Sequence, residues 1–460
     1  MTLSEHASKE LLARYGVPVA RERLADDADG AARAADALGF PVVVKLCGGA
    51  IAHKTERSLV RLGLADAHAV RAAAAELLGL RRPEDGAVQL LVAEQVRGRR
   101  ELIAGLVRDP VFGPCVVLGL GGIMTEVLGD VAFAAAPLTV AEARRLLPAL
   151  RAERLFTRPF RGEPAIDEDA LAAILVGLGR LGAERPEVAS VDVNPLIVCE
   201  GRPVAVDALV VLGEPAPVRV PAPPSDVLER FRPLFHPRGV IVAGASSHPG
   251  KFGFAACHNL LRFGFRGQVF PVNREGAEIL GRPSLRDVSE VPAGKADLVL
   301  VCTPPAANVE LLRACAARGV RAAFVASGGY GESGEEGKRA ERELVAAADE
   351  IGILMAGPNG QGVVSTAESM CAQIVAPYPP PGRISIASQS GNIVSSFCNY
   401  AVLSGIGVSK AVSTGNAAQT TLTDYLEYFA ADPETAVVLS YMEGVPDGRA
   451  LIETAAKYSR

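Results

Sequence analysis

Ala387-Ser388-Gln389-Ser390-Gly391-Asn392 is the stretch on which the reading of this chain turns. A short apolar run, Gly382-Arg-Ile-Ser-Ile-Ala387, precedes it, and Ile393 to Leu403 follows with apolar residues at helical spacing. The pattern is a strand, a tight turn rich in hydroxyls and glycine, then a helix. The first turn of a helix has backbone N–H groups without intrahelical partners and a partial positive charge. Ser390 and Gly391 at that point make a cradle for a phosphate. The same residues also suit an ordinary helix cap, so the chain on either side has to decide.

Upstream, residues 235–365 alternate strands with helices. Gly239-Val-Ile-Val-Ala243 runs into Gly244-Ala-Ser246, with Lys251 and Gly253 behind it and a helix near 254–263. Val269-Phe-Pro-Val-Asn273 is followed by Arg274, and Ala296 to Cys302 ends in Thr303-Pro304. Helices are expected at 306–318 and 335–350, each leading to a further strand and a glycine-rich turn, Ser327 to Glu332 and Gly357 to Gly362. Such alternation means a parallel, doubly wound sheet, whose ligands sit at the carboxyl ends of the strands. All of these turns fall there. The first is not G-x-G-x-x-G and no acid is placed for a ribose, which disfavours a nicotinamide dinucleotide; Arg274 suits a phosphate better.

The bulk numbers agree with a soluble α/β protein. With 460 residues there is room for two to four domains, and 49% hydrophobic with 22% charged residues is globular composition. A net charge of −5 argues against broad binding to nucleic acid or to a membrane surface. No uncharged apolar run is long enough for a bilayer, and Met1-Thr-Leu-Ser-Glu-His6 is not a secretory signal. The eight cysteines stand singly, which points to a reducing cytoplasm and away from zinc or disulfides.

The first two hundred residues hold a different pattern. Helices are expected at 3–15, 25–38, 66–80, 139–150 and 167–182, and strands at 58–64, 88–95 and 101–107. Phe40-Pro-Val-Val-Val-Lys45 is a buried strand carrying one lysine. A lone buried ammonium is costly, so either a nearby acid pairs with Lys45 or it holds a ligand phosphate. His53-Lys54 lies in a polar turn, Glu94 closes one strand and Glu101 opens the next. A glycine loop, Leu118-Gly119-Leu-Gly121-Gly122, comes after, and Val191-Asp192-Val193-Asn194-Pro195 begins a hairpin that ends at Asp207.

Together these pieces resemble the NDP-forming acyl-CoA synthetases, the group that includes succinyl-CoA synthetase. Val-Val-Val-Lys45, His53-Lys54, Glu101-Leu-Ile, Asp109-Pro-Val-Phe-Gly113-Pro, Gly119-Leu-Gly-Gly122 and Asp192-Val-Asn194-Pro-Leu carry the resemblance for residues 1–213, an ATP-grasp domain. Gly-Ala-Ser246, Pro-Val-Asn273, Thr303-Pro304, Gly331-Glu332 and Gly357-Pro-Asn359 carry it for 227–376, a Rossmann-like CoA-binding domain. A Pro-rich linker, 214–226, separates the two, and a second proline run, Pro377 to Pro381, precedes 382–460, the first part of a flavodoxin-like ligase domain. The resemblance implies ATP or ADP, CoA and Mg²⁺ as ligands. Lys45, Glu94, Glu101, Gly121 and Gly122 would lie at the nucleotide, and Asn194 and Asp207 would hold Mg²⁺. Ser246, Lys251 and Arg274 would meet CoA phosphates, with Thr303 and Pro304 lining its adenine or pantetheine path. His53 would relay phosphate, or else be a loop histidine: the Gly-Gly pair usual after His-Lys is replaced by Thr55-Glu-Arg-Ser. Glu443 would support a phosphohistidine beside Ser390 and Gly391, and the acyl pocket would lie near 327–332 and 388–392. Gly360 stands where the family usually has cysteine.

The resemblance also implies a histidine in the ligase domain, yet the six histidines are at 6, 53, 68, 236, 248 and 258. The expectation is therefore a chain whose ligase sheet is unfinished, with an open edge. The implied activity is interconversion of acyl-CoA, ADP and phosphate with a carboxylic acid, CoA and ATP, in a homo-oligomer or with a partner subunit carrying the missing segment. The alternative is a CoA- and nucleotide-binding module without turnover.

Overall fold

The computed structural model describes residues 1–51, 57–122, 128–215, 226–375 and 377–458. His53, and most of the expected linker at 214–226, lie outside the described residues. The chain forms two compact units, Met1–Pro221 and Ala222–Arg460.

The first unit holds two sheets. β1 (Glu22–Ala25), β2 (Val42–Gly48), β3 (Val60–Leu64) and β4 (Val88–Glu94) form one, in the order β1-β4-β2-β3 and antiparallel throughout. β2, Val-Val-Val-Lys-Leu-Cys-Gly, is buried along its whole length, Lys45 included, as suits its place inside the sheet. Helices Ala28–Leu38 and Ala67–Gly79 pack an alanine-rich face on this sheet. Both start on an aspartate, Asp27 and Asp66, whose carboxylates accept from N–H groups of the first turn.

The second sheet contains β5 (Arg100–Asp109), β6 (Gly113–Leu120), β7 (Val131–Ala135), β8 (Val188–Cys199), β9 (Arg202–Ala205) and β10 (Ala208–Leu212). Its order is β10-β8-β5-β6-β7, with β9 also paired to β8. Helix Glu168–Glu184 covers its apolar face. The helix expected over 139–150 is α-helical only over Val140–Ala143. Beyond it the bonds tighten, Arg145 N–H to the Glu142 carbonyl and Leu146 N–H to that of Ala143. Pro148 has no N–H and excludes its predecessor from helical geometry, so the helix cannot run on. Gly119, expected in a loop, is inside β6 and pairs with Val131.

The second unit contains a parallel sheet of β11 (Gly239–Ala243), β12 (Gln268–Val272), β15 (Leu298–Val301), β16 (Ala322–Val325) and β17 (Leu354–Ala356), ordered β12-β11-β15-β16-β17. A small hairpin, β13 (Glu278–Ile279) with β14 (Arg282–Pro283), follows β12. β11, β15 and β16 are buried at every position, as a parallel sheet covered on both faces requires.

The last sheet is built from β18 (Gly362–Ser365), β19 (Met370–Gln373), β20 (Pro381–Ser388), β21 (Val408–Ser413) and β22 (Val437–Tyr441), ordered β19-β18-β21-β20-β22. β18 and β19, which the sequence reading places before the boundary at 376–382, belong to this sheet. β18 pairs antiparallel with β21, residue 362 opposite 413. The two sheets also share one core, in which Phe231 and Phe235 stack on Tyr428. Among the described residues β19 and β22 are the edge strands of this sheet, and on β22 Val437, Leu439 and Tyr441 are exposed. Among the described residues no helix is long and apolar enough to cross a membrane.

Candidate active site

In the first unit the two sheets meet at Lys45. Its Nζ donates to Glu5 Oε1 at 2.6 Å, to the Val206 carbonyl at 2.9 Å and to Asp207 Oδ2 at 3.4 Å. The lysine therefore has the acidic partner that its burial demands, and that partner set includes an expected metal ligand. Asp207 stands between β9 and β10. The ladder that pairs Leu196 with Ala205 and Val193 with Ala208 places Asp207 opposite Asn194. Asp192 lies two residues from Asn194 and so on the same face of β8. Although the residue is exposed, crowding around its carboxyl raises the pKa above the ordinary carboxylate range, and the charge of Asp207 raises it further. The Asp192-Val-Asn194 motif carries this residue without marking its role, and its i, i+2 spacing from Asn194 is the one local signal for it.

Glu101 and Gly121 are brought together, since the Gly121 N–H donates to the Glu101 carbonyl at 2.9 Å, and Gly122 follows with φ +89°. Glu94 is placed differently. It lies opposite Val42, three residues from the Lys45 level and so about 10 Å along the strand. Its carboxylate accepts from the Arg21 backbone at 2.9 Å and the Arg21 side chain at 2.7 Å.

In the second unit, Ser246, Lys251, Arg274, Thr303 and Pro304 all line one cavity of about 1430 Å³ at the carboxyl ends of β11, β12 and β15. The turn after β11 lies tight against helix Phe252–Arg262, whose N-cap is Lys251. A Cβ on Gly253 would lie 2.0 Å from the Gly244 carbonyl oxygen, so only glycine permits that approach. Asn273 Nδ2 holds the turn by donating to the Ala245 carbonyl at 2.7 Å. Thr303 Oγ1 donates to Asn308 Oδ1 at 2.6 Å, and the buried Asn308 amide in turn donates to Tyr330 Oη at 2.7 Å. Arg286 lines the same cavity and escaped the sequence reading. It comes there through a bridge between Val272 and Leu285, a pairing that no local pattern announces.

The turn at 388–392 is as the pattern expects, with helix Gly391–Ser404 beginning after Ser390. Ser388 Oγ donates to the Ser390 carbonyl at 2.8 Å and accepts from the Ser390 N–H at 3.1 Å, which fixes the turn without occupying the helix start. Glu443 is brought beside it because β22 runs parallel to β20, with Tyr441 opposite Ser388. Gln389 Oε1 accepts from the N–H groups of Glu443 at 2.5 Å and Gly444 at 3.1 Å. The 327–332 turn reaches the same region. Asn416 Nδ2 donates to Glu332 at 2.6 Å and to Glu341 at 2.7 Å, while Thr414 N–H donates to the Ser388 carbonyl at 2.7 Å.

A lysine beside oxygen donors, a cavity with cationic side chains at strand ends and a helix start with no side-chain cap define an α/β protein with places suited to anionic groups. Residues 1–212 match the ATP-grasp domain family, residues 238–366 a CoA binding domain and residues 381–460 a succinyl-CoA ligase like flavodoxin domain. The chain is 32% identical to acetate–CoA ligase [ADP-forming] II of Archaeoglobus fulgidus over 461 residues, 99% of this chain and 66% of that protein. It is 34% identical over 213 residues to the beta subunit of acetate–CoA ligase [ADP-forming] I of Pyrococcus furiosus, covering 46% of this chain and 91% of that subunit. With the alpha subunit of the same Pyrococcus furiosus enzyme it shares 38% over 231 residues, 49% of this chain and 50% of the subunit. The chain belongs to the NDP-forming acyl-CoA synthetase family. It spans 66% of the length of the Archaeoglobus relative and half of the Pyrococcus alpha subunit.

Proposed function

We propose that this protein acts as an ADP-forming acid–thiol ligase, interconverting acyl-CoA, ADP and phosphate with a carboxylic acid, CoA and ATP. The observation that carries this reading is the gathering of Ser246, Lys251, Arg274, Thr303 and Pro304 around one cavity. Two cations and a helix start suit the phosphates of CoA. In the forward sense, phosphate attacks the thioester carbonyl and CoA leaves as the thiol, giving an acyl phosphate. A histidine nitrogen then takes the phosphoryl group and releases the carboxylate, and ADP takes it from the histidine. The start of helix Gly391–Ser404 would hold the phosphate by its N–H groups and dipole, and Glu443 would orient and charge-stabilise the imidazole. His53 would carry the group to the nucleotide, near Lys45, Glu101, Gly121 and Gly122, with Glu94 further along the sheet.

Asp192, Asn194 and Asp207 offer oxygen alone, and two like charges near one another gain from a cation between them. That donor set fits Mg²⁺, which uses few protein ligands and would neutralise nucleotide phosphates there. Residues 259–460 contain no histidine, so one acting at Ser390 would come from another segment or a partner subunit. The second reading is a CoA- and nucleotide-binding unit that turns over only with such a segment or partner. We place the protein in the cytoplasm, where its substrates and reduced cysteines belong.

Incubation with γ-labelled ATP and Mg²⁺ tests the reading. An acid-labile, base-stable label that is lost in His53→Ala supports the relay. No label, together with CoA and ATP binding by calorimetry, supports the binding unit instead. Absence of CoA binding overturns both.

A further inference from the structure

An ammonium group has three N–H donors and no acceptor. Lys45 has engaged three acceptors, Glu5, the Val206 carbonyl and Asp207, so a phosphate can be reached only if one is given up. The two carboxylates differ. Glu5 is 2% exposed, and its Oε1 accepts from Lys9 Nζ at 2.6 Å as well as from Lys45 at the same distance. Lys9 is itself 1% exposed and reaches Glu22 at 2.7 Å. Without the Glu5 charge that both ammonium groups share, Lys9 would keep Glu22 and Lys45 only the long contact to Asp207, so two buried ammonium groups would lose their common counterion, at a cost too high for a working cycle. Asp207 makes the longest contact, its side chain is 31% exposed, and it lies among the oxygen donors of β8. It can turn away without burying an unpaired charge.

We propose that Lys45 has one fixed and one exchangeable anchor. Glu5 is a positioning residue that holds the ammonium in place. Asp207 releases it when its carboxylate is drawn to a divalent cation, and the freed N–H then takes a nucleotide phosphate. The inference rests on the reading of Lys45 and Asp207 as nucleotide and cation residues.

Calorimetric titration of the full chain with ADP, with and without Mg²⁺, tests it. Asp207→Asn removes the competing charge, so metal-free ADP binds about three- to tenfold tighter than to the unmodified chain, while Mg²⁺ then adds less. Glu5→Gln loosens the anchor and weakens ADP about tenfold with or without Mg²⁺, Glu5→Asp recovers part of the loss, and CoA affinity stays unchanged in both. If Asp207→Asn weakens ADP equally in the two conditions, the exchange is refuted. If the unmodified chain binds no ADP even with Mg²⁺, the nucleotide reading falls and this inference with it. Where Glu5→Gln does not fold, the sign of the metal-free shift in Asp207→Asn decides alone.

Discussion

The carbonyl oxygen of Ser413 occupies the space where a side chain on Gly360 would begin. A Cβ at Gly360 would lie 2.4 Å from that oxygen and 2.6 Å from the Phe324 ring. The glycine at this position, where the family usually has cysteine, is thus matched to the packing of β21 against the Gly357–Gly362 turn. Gly360→Cys should destabilise the second unit by about 1–3 kcal/mol, the usual cost of overpacking. In urea unfolding, the transition that CoA shifts should move to lower denaturant, and the one that ADP shifts should stay. An unmoved CoA-linked transition would show that the turn yields freely.

Gly253 makes a sharper demand, because its neighbour is the backbone of the turn that carries Ser246. Gly253→Ala should push helix Phe252–Arg262 away from Gly244 and displace Lys251 with it. CoA affinity should fall by tenfold or more, about 1.4 kcal/mol, while ADP affinity is unchanged. Calorimetry with each ligand separates a local effect from general unfolding.

These two glycines also show what could be read in advance. The parallel sheet, its strand-end turns and the turn at 388–392 were legible because each is signalled within about ten residues by periodicity and by glycine or hydroxyl residues. Lys45 was legible as a lysine in need of a partner, but not the identity of that partner, because Glu5 lies 40 residues away. Arg286 and the pairing of β18 with β21 were hidden for the same reason: long-range register leaves no local pattern. Apolar spacing alone suggests a helix over 139–150, but Pro148 interrupts it and the α-helix covers only Val140–Ala143.

Asp192 should couple stability to function. Its folded pKa is raised, by desolvation first and by Asp207 second, so the folded state favours its proton. The ionised form therefore costs stability above the ordinary carboxylate pKa, and that cost disappears as the pH falls below it. Asp192→Asn should stabilise the first unit at neutral pH, with the gain vanishing towards about pH 4. If Asp192 faces the cation, the same variant should weaken ADP binding in Mg²⁺ more than without it. Stabilisation that persists unchanged at acid pH would assign the effect to packing instead.

Asp432, the partner of Lys410, gives the opposite sign. Lys410 is fully buried in β21, with Asp432 Oδ2 and Glu434 Oε2 each at 2.7 Å. Burial pushes the Asp432 carboxyl up, but hydrogen bonds from Lys410 and Thr435 and the lysine charge outweigh it, and the net pKa is below the ordinary value. A depressed folded pKa means stability that is fully present above the unfolded carboxylate value, about 3.9, and lost as the pH falls through the lower folded one. Asp432→Ala should cost about 3 kcal/mol at neutral pH, since it leaves the ammonium with only the half-exposed Glu434. The penalty should shrink as the medium is acidified below about pH 4, where the native pair is itself being discharged. Replacing both partners, Lys410→Met with Asp432→Leu, should recover most of the loss, because an apolar pair carries no desolvation cost. Failure of the double variant to recover would show that the pair orders the loop before β22, through Thr435 and its contact with Ser385, rather than merely satisfying the lysine.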